Sequence, residues 1–294
     1  MAHILFAGLA TWDVIQLVER LPASNEKVAA LDFVTAAGGP AANAAVASAW
    51  LGDRPTLVTA LPHHPVTALI TDDLERCGVN VVVAAAYAGP PITASILVTR
   101  ATGDRAVISP TSAATDGELE DLTPVEIPNT LGILIDGYFP SLSLPLARAG
   151  RERGIPVILD AGGFKPYTDE LLAHVDVAVV SDAFRPPGTT GDPDAVFAYL
   201  RARGVMWAAI TRGPEPIAYM CPGGSGEVPV PRVEDVADTL GAGDFFHGAL
   251  THRIAALGLS GDRFAEDLAF AADVVAASLT TFGTRAWLTR QARR

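Results

Sequence analysis

Residues 238–248 read Asp-Thr-Leu-Gly-Ala-Gly-Asp-Phe-Phe-His-Gly, a glycine turn that opens into an apolar helix. Gly241 and Gly243 flank one small residue, Ala242, so the backbone can turn sharply and approach a ligand closely. The first amide groups of the following helix have no partner within it, and the helix dipole adds partial positive charge there. Such a turn is suited to an anion, and to phosphate in particular.

Asp244 adds a carboxylate at the same place, and it has two explanations. Asp is favoured at the start of a helix, where it caps free amides. A carboxylate that faces a bound phosphate can also act as a general base. These eleven residues alone favour the cap, so the rest of the chain has to decide. His247, one turn further along, is interpreted as a packed histidine.

The composition excludes several classes of protein. Hydrophobic residues make up 49% of the 294, but no apolar run reaches the roughly 18 residues of a membrane span. The net charge of −12 argues against a nucleic-acid surface. The N-terminus has no basic segment and is interpreted as a first strand, and two cysteines are too few for a disulfide framework. We expect a cytoplasmic protein that binds neither nucleic acid nor membrane. Lys27 and Lys165 are its only lysines.

Short apolar runs alternate with helical patterns in the second half of the chain. The runs at 131–136, 156–160, 175–180 and 206–211 predict buried strands of a parallel sheet covered by helices on both faces. Ligands of such sheets bind beyond the carboxyl ends of the strands. Polar side chains at these ends are therefore expected to face one crevice: Asp136, Asp160, Ser181 and Thr211.

Four early extended segments do not follow this alternation. They are residues 14–18, 28–35, 92–100 and 105–109, and they predict a small separate sheet that acts as a lid. The fold class expected for residues 1–294 is a single α/β domain, with a doubly wound, mainly parallel sheet and this small β-sheet lid.

A second informative stretch is Gly-Gly-Pro-Ala-Ala-Asn at 38–43. It is either an ordinary turn and helix start or a place where the backbone touches a ligand. Asn43 offers both a donor and an acceptor, which suits a sugar hydroxyl. Asp13 could accept hydrogen bonds from adjacent hydroxyls, or it could cap a loop. The P-loop, dinucleotide and zinc-protease motifs are absent from the sequence.

Together, residues 38–43 and 238–244 resemble the two signatures of the PfkB/ribokinase family of sugar kinases. The second signature is highly specific. Asp13, Thr211-Arg212-Gly213 and the lid-like strands also fit, so the resemblance covers essentially the whole chain. It implies a ribokinase-like fold and transfer of a phosphoryl group from ATP to a sugar.

The resemblance also assigns roles, and it favours the base over the cap for Asp244. It implies an anion hole at the amides of Gly241, Ala242 and Gly243. It places the sugar against Asp13, Gly38, Gly39 and Asn43, and ATP against Thr211, Arg212 and Gly213. A monovalent cation such as K⁺ is expected near Asp238 and Gly283.

One expected motif is missing. Many relatives carry Asn-x-x-Glu after the third buried strand, where it is associated with magnesium and phosphate, but this chain has Ser181-Asp182-Ala183-Phe184. Use of ATP still implies Mg²⁺. We expect Asp182 to substitute or Asp160 to take more of the role.

The substrate is less clearly marked. Parts of the chain are similar to ketohexokinase, and other parts, with Lys27, to bacterial sulfofructose kinases. The other two sulfonate-binding positions of those enzymes appear here as Ser109 and Tyr138, and one lysine alone neutralises a sulfonate poorly. We therefore expect a fructose-like or sulfofructose-like ketose, phosphorylated on a primary hydroxyl by a homodimer that pairs through the lid. The alternatives are a nucleoside kinase of the same family and a non-catalytic sugar or nucleotide sensor.

Overall fold

Nine strands form the larger of two sheets in the computed structural model, which describes residues 1–111 and 119–289. Numbered in chain order through both sheets, they are β1 (His3–Ala7), β4 (Arg54–Ala60), β5 (Asn80–Ala85), β8 (Gly132–Ile135), β9 (Val157–Ala161), β10 (Val177–Ser181), β11 (Trp207–Arg212), β12 (Glu215–Cys221) and β13 (Gly224–Val228). Their spatial order is β13-β12-β11-β10-β9-β8-β1-β4-β5. All neighbours pair in parallel except β11–β12 and β12–β13, which are antiparallel. The sheet is thus doubly wound, as predicted.

Helices cover both faces of this sheet. They are α1 (Pro40–Trp50), α2 (Pro65–Arg76), α3 (Pro140–Glu152), α4 (Thr168–Leu172), α5 (Pro193–Arg201), α6 (Ala242–Leu257) and α7 (Phe264–Ser278), followed by a 3₁₀ turn at Ala286–Thr289. Four of them begin with a proline in the first turn, where its missing N–H costs no hydrogen bond.

Two apolar cores lie on opposite sides of the large sheet. Alternate residues of β1 show the division, since Ile4 and Phe6 belong to one core and Leu5 and Ala7 to the other. Helices α1, α2, α6 and α7 pack on the first core, and α3, α4 and α5 on the second. A strand buried on both faces needs apolar residues at every position, which explains its unbroken apolar run.

The small sheet has four strands in the order β3-β2-β6-β7. They are β2 (Thr11–Val18), β3 (Asp32–Gly38), β6 (Thr93–Thr99) and β7 (Arg105–Ile108). The β2–β6 pair is parallel and the other two pairs are antiparallel. The predicted segment 28–35 becomes a strand only from Asp32, because residues 28–30 have no regular structure and Leu31 is a bend whose amide donates to the carbonyl oxygen of Leu17 at 2.7 Å. Strand β5 was not predicted at all.

The polar residues predicted at strand ends do lie at the carboxyl edge of the large sheet. The sheet reverses direction of winding between β1 and β8, which is the place where doubly wound folds bind ligands. The small sheet joins the large one at this edge, through β2 directly after β1 and β3 directly before α1. Within residues 1–111 and 119–289, no helix is long and apolar enough to cross a membrane.

Candidate active site

The glycine turn begins helix α6. Gly241 has a φ of 76°, in the left-handed region, and a side chain there would stand 2.9 Å from the ring of Phe245. The amide of Ala242 donates to the carbonyl oxygen of Thr239 at 3.3 Å, and the amide of Phe245 donates to that of Gly241 at 2.8 Å. The amides of Gly243 and Asp244 lie between these two bonds, at the positive end of the helix dipole. Of the three amides predicted to form the anion hole, that of Ala242 is bonded to Thr239. Those of Gly241 and Gly243 have no hydrogen-bond partner among the described residues, and neither has that of Asp244.

Asp244 does not cap this helix. Gly241 is the N-cap residue, and no side chain in the described chain caps α6. The carboxylate instead accepts a hydrogen bond from Asn43, whose Nδ2 lies 2.8 Å from Asp244 Oδ2. This bond joins the two sequence signatures across the crevice.

Arg285 fixes the orientation of Asn43. Its Nη1 donates to Asn43 Oδ1 at 3.2 Å, while its Nη2 donates to the carbonyl oxygen of Ala37 at 2.6 Å. An ion pair with Asp73, 3.1 Å from Arg285 Nε, holds the guanidinium in place. Because Arg285 occupies the amide oxygen, Asn43 presents its NH₂ group to Asp244 and to a ligand, so it offers a donor and not the acceptor that the sequence also suggested.

Asp13 lies on β2 and is buried beside Gly38. Thr11 Oγ1 donates to its Oδ1 at 2.5 Å, and a side chain at position 38 would collide with the carboxylate. Burial raises the pKa of Asp13 to about 6, and the nearby carboxylate of Asp244 adds to this rise. The hydrogen bond from Thr11 and the charge of Arg285 lower the pKa and offset part of the rise. Asp244 is thus near enough to Asp13 to raise the pKa of that carboxyl.

Asp136, at the end of β8, holds the crossing point of the fold together. Its Oδ2 accepts from the amides of Leu9 at 2.8 Å and Ala41 at 3.1 Å, and its Oδ1 accepts from that of Tyr138 at 2.9 Å. These amides come from the end of β1, the start of α1 and the turn after β8. One buried carboxylate therefore fixes three backbone segments that surround the crevice.

Asp160 and His247 meet beneath the glycine turn. His247 is buried, as predicted; its Nδ1 lies 2.6 Å from the carbonyl oxygen of Gly243 and 3.4 Å from Asp160 Oδ2, and its Nε2 lies 3.3 Å from the carbonyl oxygen of Val179. Burial raises the pKa of Asp160 to about 6, with His247 lowering it and Asp244 raising it. The contact with Gly243 ties the turn to the large sheet.

The small sheet touches the segment that precedes the turn. The carbonyl oxygen of Gly103 accepts from the amide of Thr239 at 3.1 Å and from its Oγ1 at 2.9 Å. Arg105 Nη1 donates to both the carbonyl oxygen and Oγ1 of Thr239 at 3.1 Å. The β6–β7 hairpin is thus fastened to the backbone just before Gly241.

Asp238 closes the same segment from the other side. Its Oδ1 accepts from the amide of Leu240 at 2.8 Å and its Oδ2 from that of Gly283 at 2.9 Å. Burial raises the pKa of this carboxyl. Asp238 and Gly283 are therefore neighbours, as the sequence suggested.

The pfkB carbohydrate kinase family model matches residues 1–290. The chain belongs to the PfkB family of carbohydrate kinases. It is an ATP-dependent sugar kinase.

Individual relatives agree with this family. A ribokinase of Arabidopsis thaliana is 29% identical over 264 residues, which are 84% of this chain and 69% of the relative. The structure of Arabidopsis ribokinase with ribose and ATP matches with a TM-score of 0.73 and 24% identity, over 96% of this chain and 93% of that one. A fructokinase of Xylella fastidiosa with bound ATP matches with a TM-score of 0.71 and 21% identity, over the same shares. At these identities the structures establish the fold.

The residues predicted for ATP in this PfkB-family chain lie at the ends of β10 and β11. The carbonyl oxygen of Thr211 accepts from the amide of Asp182 at 3.0 Å, so the two strand ends are tied together. The guanidinium of Arg212 is used elsewhere, by the carbonyl oxygen of Pro216 at 3.0 Å and by Glu227 at 2.7 Å. Gly213 is exposed with a φ of 62°. A nucleotide here would therefore meet backbone more than charged side chains.

The three residues predicted to read the substrate differ in their surroundings. Lys27 lies in the exposed segment between β2 and β3. Ser109 follows β7, and its Oγ is buried without a hydrogen-bond partner in the described residues. Tyr138 is half-buried after β8; burial raises its pKa, and Asp136, Asp160 and Asp244 raise it further while a bond with Thr111 lowers it. Ser109 and Tyr138 therefore suit a ligand better than Lys27 does.

Sequence reasoning missed Arg285 and Asp73. Neither belongs to a recognisable motif, and their contacts with Asn43 and Ala37 join segments far apart in sequence. The only available signal was chemical: an arginine that follows a Thr/Gly-rich turn at 280–284 near the predicted cation loop. Asp136 was noticed at a strand end, but its part in holding three backbone segments was not.

Proposed function

We propose that this sugar kinase phosphorylates a primary hydroxyl of a ketose or ketose derivative. The hydrogen bond from Asn43 Nδ2 to Asp244 Oδ2 carries the proposal. It holds a carboxylate beside free backbone amides without using that carboxylate as a helix cap. A base next to an anion site is what phosphoryl transfer to an alcohol requires.

Asp13 and Asn43 would hold the sugar, the carboxylate by accepting from hydroxyls and the amide by donating to an oxygen. The acceptor hydroxyl gives its proton to Asp244 as its oxygen bonds to the γ-phosphorus of ATP. The bond between that phosphorus and the β–γ bridging oxygen breaks, and ADP leaves. The amides of Gly243 and Asp244 stabilise the negative charge on the phosphoryl oxygens.

A ketose is supported by the side chains that remain unoccupied. The buried Oγ of Ser109 has no partner in the described chain, which is costly unless a ligand supplies one. Its position and that of Tyr138 correspond to the places where the resemblance puts groups that read the far end of a ketose. A hydroxyl at that end fits a serine better than a strong anion does.

Two cations belong to the proposal. No group of three or more His, Cys, Asp or Glu side chains among the described residues is arranged to hold a metal. Mg²⁺ would therefore be held mainly by ATP and water, with Asp160 or Asp182 as its protein contact. A monovalent cation such as K⁺ would bind beside Asp238 and Gly283. Turnover in K⁺ at least several-fold above that in Na⁺ at equal ionic strength would support the second site.

We also propose a homodimer through the small sheet. Its inner face packs Ile15 and Ile96 against Leu240 and Phe282. On the opposite face, the two edge strands carry exposed apolar side chains, Phe33 of β3 at 55% and Ile108 of β7 at 74%, and their cross-strand partners are the polar residues Gln16 and Ser95. Light scattering of the wild type and of Phe33→Glu/Ile108→Glu tests this, since a monomeric wild type at micromolar concentration would refute it.

ATP-consumption assays with matched acceptors test the substrate. Fructose, sulfofructose, fructose 6-phosphate, ribose and adenosine are compared at equal concentration. We expect the highest kcat/KM with fructose or sulfofructose. Turnover of ribose alone would refute the ketose, and turnover of adenosine but of no free sugar would indicate a nucleoside kinase. Binding of a sugar without any turnover would indicate a sensor, which the intact Asp244 and its free amides argue against.

A further inference from the structure

Lys165 lies at the carboxyl edge of the large sheet in a fixed backbone turn. It follows β9 by four residues and precedes α4. Its amide donates to Thr168 Oγ1 at 2.8 Å, and the amide of Thr168 donates back to the carbonyl oxygen of Lys165 at 3.0 Å. This reciprocal pair of bonds holds the backbone, so the direction in which the lysine leaves the sheet is set by the fold.

The ammonium group lies over the crevice. Lys165 Nζ is 4.4 Å from the centroid of the Tyr138 ring, a distance at which a cation is attracted to the aromatic face. It is also 3.4 Å from the point that a side chain on Gly137 would occupy. The backbone below is braced, because Tyr167 Oη donates to the carbonyl oxygen of Gly137 at 2.6 Å. The positive charge therefore stands between the ends of β8 and β9.

No carboxylate in residues 1–111 and 119–289 lies within ion-pair distance of this half-buried lysine. Burial raises the pKa of Asp136 and that of Asp160. Lys165 is near enough to both carboxyls for its positive charge to offset part of each rise. Other cations around the crevice are already engaged, Arg285 by Asp73 and Arg105 by Thr239. A site crowded with carboxylates can take an anionic ligand only where positive charge remains available.

From these contacts we propose that Lys165, braced by Tyr138, binds a tetrahedral oxyanion of the ligands. The inference rests on the proposed phosphoryl transfer at Asp244. The oxyanion has two sources with the same chemistry: the γ-phosphoryl group of ATP, or a sulfonate or phosphate on the acceptor. Lys165 would then supply the positive charge that the sequence attributes to Lys27.

Binding measurements separate the two sources. Calorimetry compares wild type with Lys165→Met, which keeps the length of the side chain and removes its charge. The ligands are a non-hydrolysable ATP analogue, ADP, fructose and sulfofructose. If Lys165 meets the γ-phosphoryl group, the analogue binds at least tenfold more weakly while ADP and both sugars change less than twofold. If it meets the acceptor, only sulfofructose weakens by that factor. Four affinities within twofold of wild type would overturn the proposal.

Two further variants exclude indirect effects. Lys165→Arg keeps the charge. Its affinity for the ligand that Lys165→Met binds more weakly should be at least a third of the wild-type affinity. Arg148→Gln removes an equal charge at an exposed position on α3, about 12 Å along the helix from Pro140. It should leave all four affinities within twofold. Equal losses in Arg148→Gln and Lys165→Met would show a general charge effect and overturn the proposal. Because these measurements need no turnover, they test Lys165 even if no acceptor is phosphorylated.

Discussion

The two walls of the crevice are built differently. On the large-sheet wall, Asp244, Asn43 and Arg285 form a continuous network of hydrogen bonds that is complete without a ligand. On the small-sheet wall, Ser109 has a buried hydroxyl without a partner in the described chain, and Lys27 is exposed to solvent. The first wall is preorganised for the reaction that we propose, whereas the contacts proposed for the second wall would form only with a bound substrate. This difference explains why the reaction is easier to infer than the sugar.

The largest effect is expected at the centre of the preorganised wall. Asp244→Asn keeps the shape of the side chain but removes the base, so kcat should fall by about 10³-fold, within the range for a general base. Binding of the ATP analogue should stay within threefold. Steady-state kinetics and calorimetry measure the two quantities. Turnover within a few-fold of wild type would show that Asp244 is not the base. The preorganised wall would then have no greater part in the reaction than the small-sheet wall.

Arg285 tests whether the network itself matters. Arg285→Met should lower kcat by about 10- to 100-fold, because the amide of Asn43 can then turn its oxygen towards Asp244 and repel the carboxylate. The variant should also lose about 1–3 kcal/mol of unfolding free energy, because Asp73 loses its partner. Arg253→Met is the matched control, since Arg253 forms a comparable ion pair with Asp267, 2.8 Å away, between α6 and α7. The control should lose stability without losing kcat. Equal kinetic losses would mean that Arg285 acts only through stability.

Asp13 predicts opposite effects of pH on binding and on stability. Burial raises the pKa of Asp13 to about 6, so the carboxylate that we propose as the acceptor for sugar hydroxyls is lost as the pH falls through 6, and the KM for the sugar should rise there. The folded protein binds this proton more tightly than the unfolded one, so Asp13 destabilises the fold as the pH rises from about 4 to 6. Asp13→Asn should therefore raise Tm at pH 7 while raising the KM for the sugar at least tenfold. Unchanged Tm would contradict the assigned burial cost.

The contact between the walls should have a moderate effect. Arg105→Ala removes two hydrogen bonds to Thr239, so the hairpin and the glycine turn become less tightly coupled, and kcat should fall about 3- to 10-fold. Arg100→Ala in the same hairpin removes an exposed pair with Glu19, 2.6 Å away, and should leave kcat unchanged. An equal kcat in the two variants would show that the bonds between Arg105 and Thr239 do not affect the reaction.

The smallest effect is expected at Lys27. Lys27→Met should change kcat/KM for both fructose and sulfofructose by less than twofold, because the side chain is exposed. A tenfold loss on sulfofructose alone would show that the small sheet carries the charge that reads the acceptor. It would then weaken the assignment of that charge to Lys165.

Local sequence predicted the elements whose residues are contiguous. The glycine turn, Asn43 and the strand-end carboxylates follow from motifs and from the period of the apolar pattern. Contacts between distant segments did not follow, because Arg285 reaches Asn43 over 242 positions and no periodicity records such a pairing. Strand β5 was overlooked although its three valines favour a strand, because so short a run carries no periodic signal. Residues 28–31 looked extended, but only the amide of Leu31 finds a partner on β2.

Arg285 is synthesised after the other residues of its hydrogen-bond network. Ribosomes release a chain from its N-terminus, so Asp13, Asn43 and Asp244 emerge before the arginine that orients Asn43. A nascent chain that still holds residue 285 in the exit tunnel has Asp244 but lacks the side chain that orients Asn43. Activity is therefore expected to begin only after residue 285 has emerged from the tunnel, so shorter nascent chains should not consume ATP.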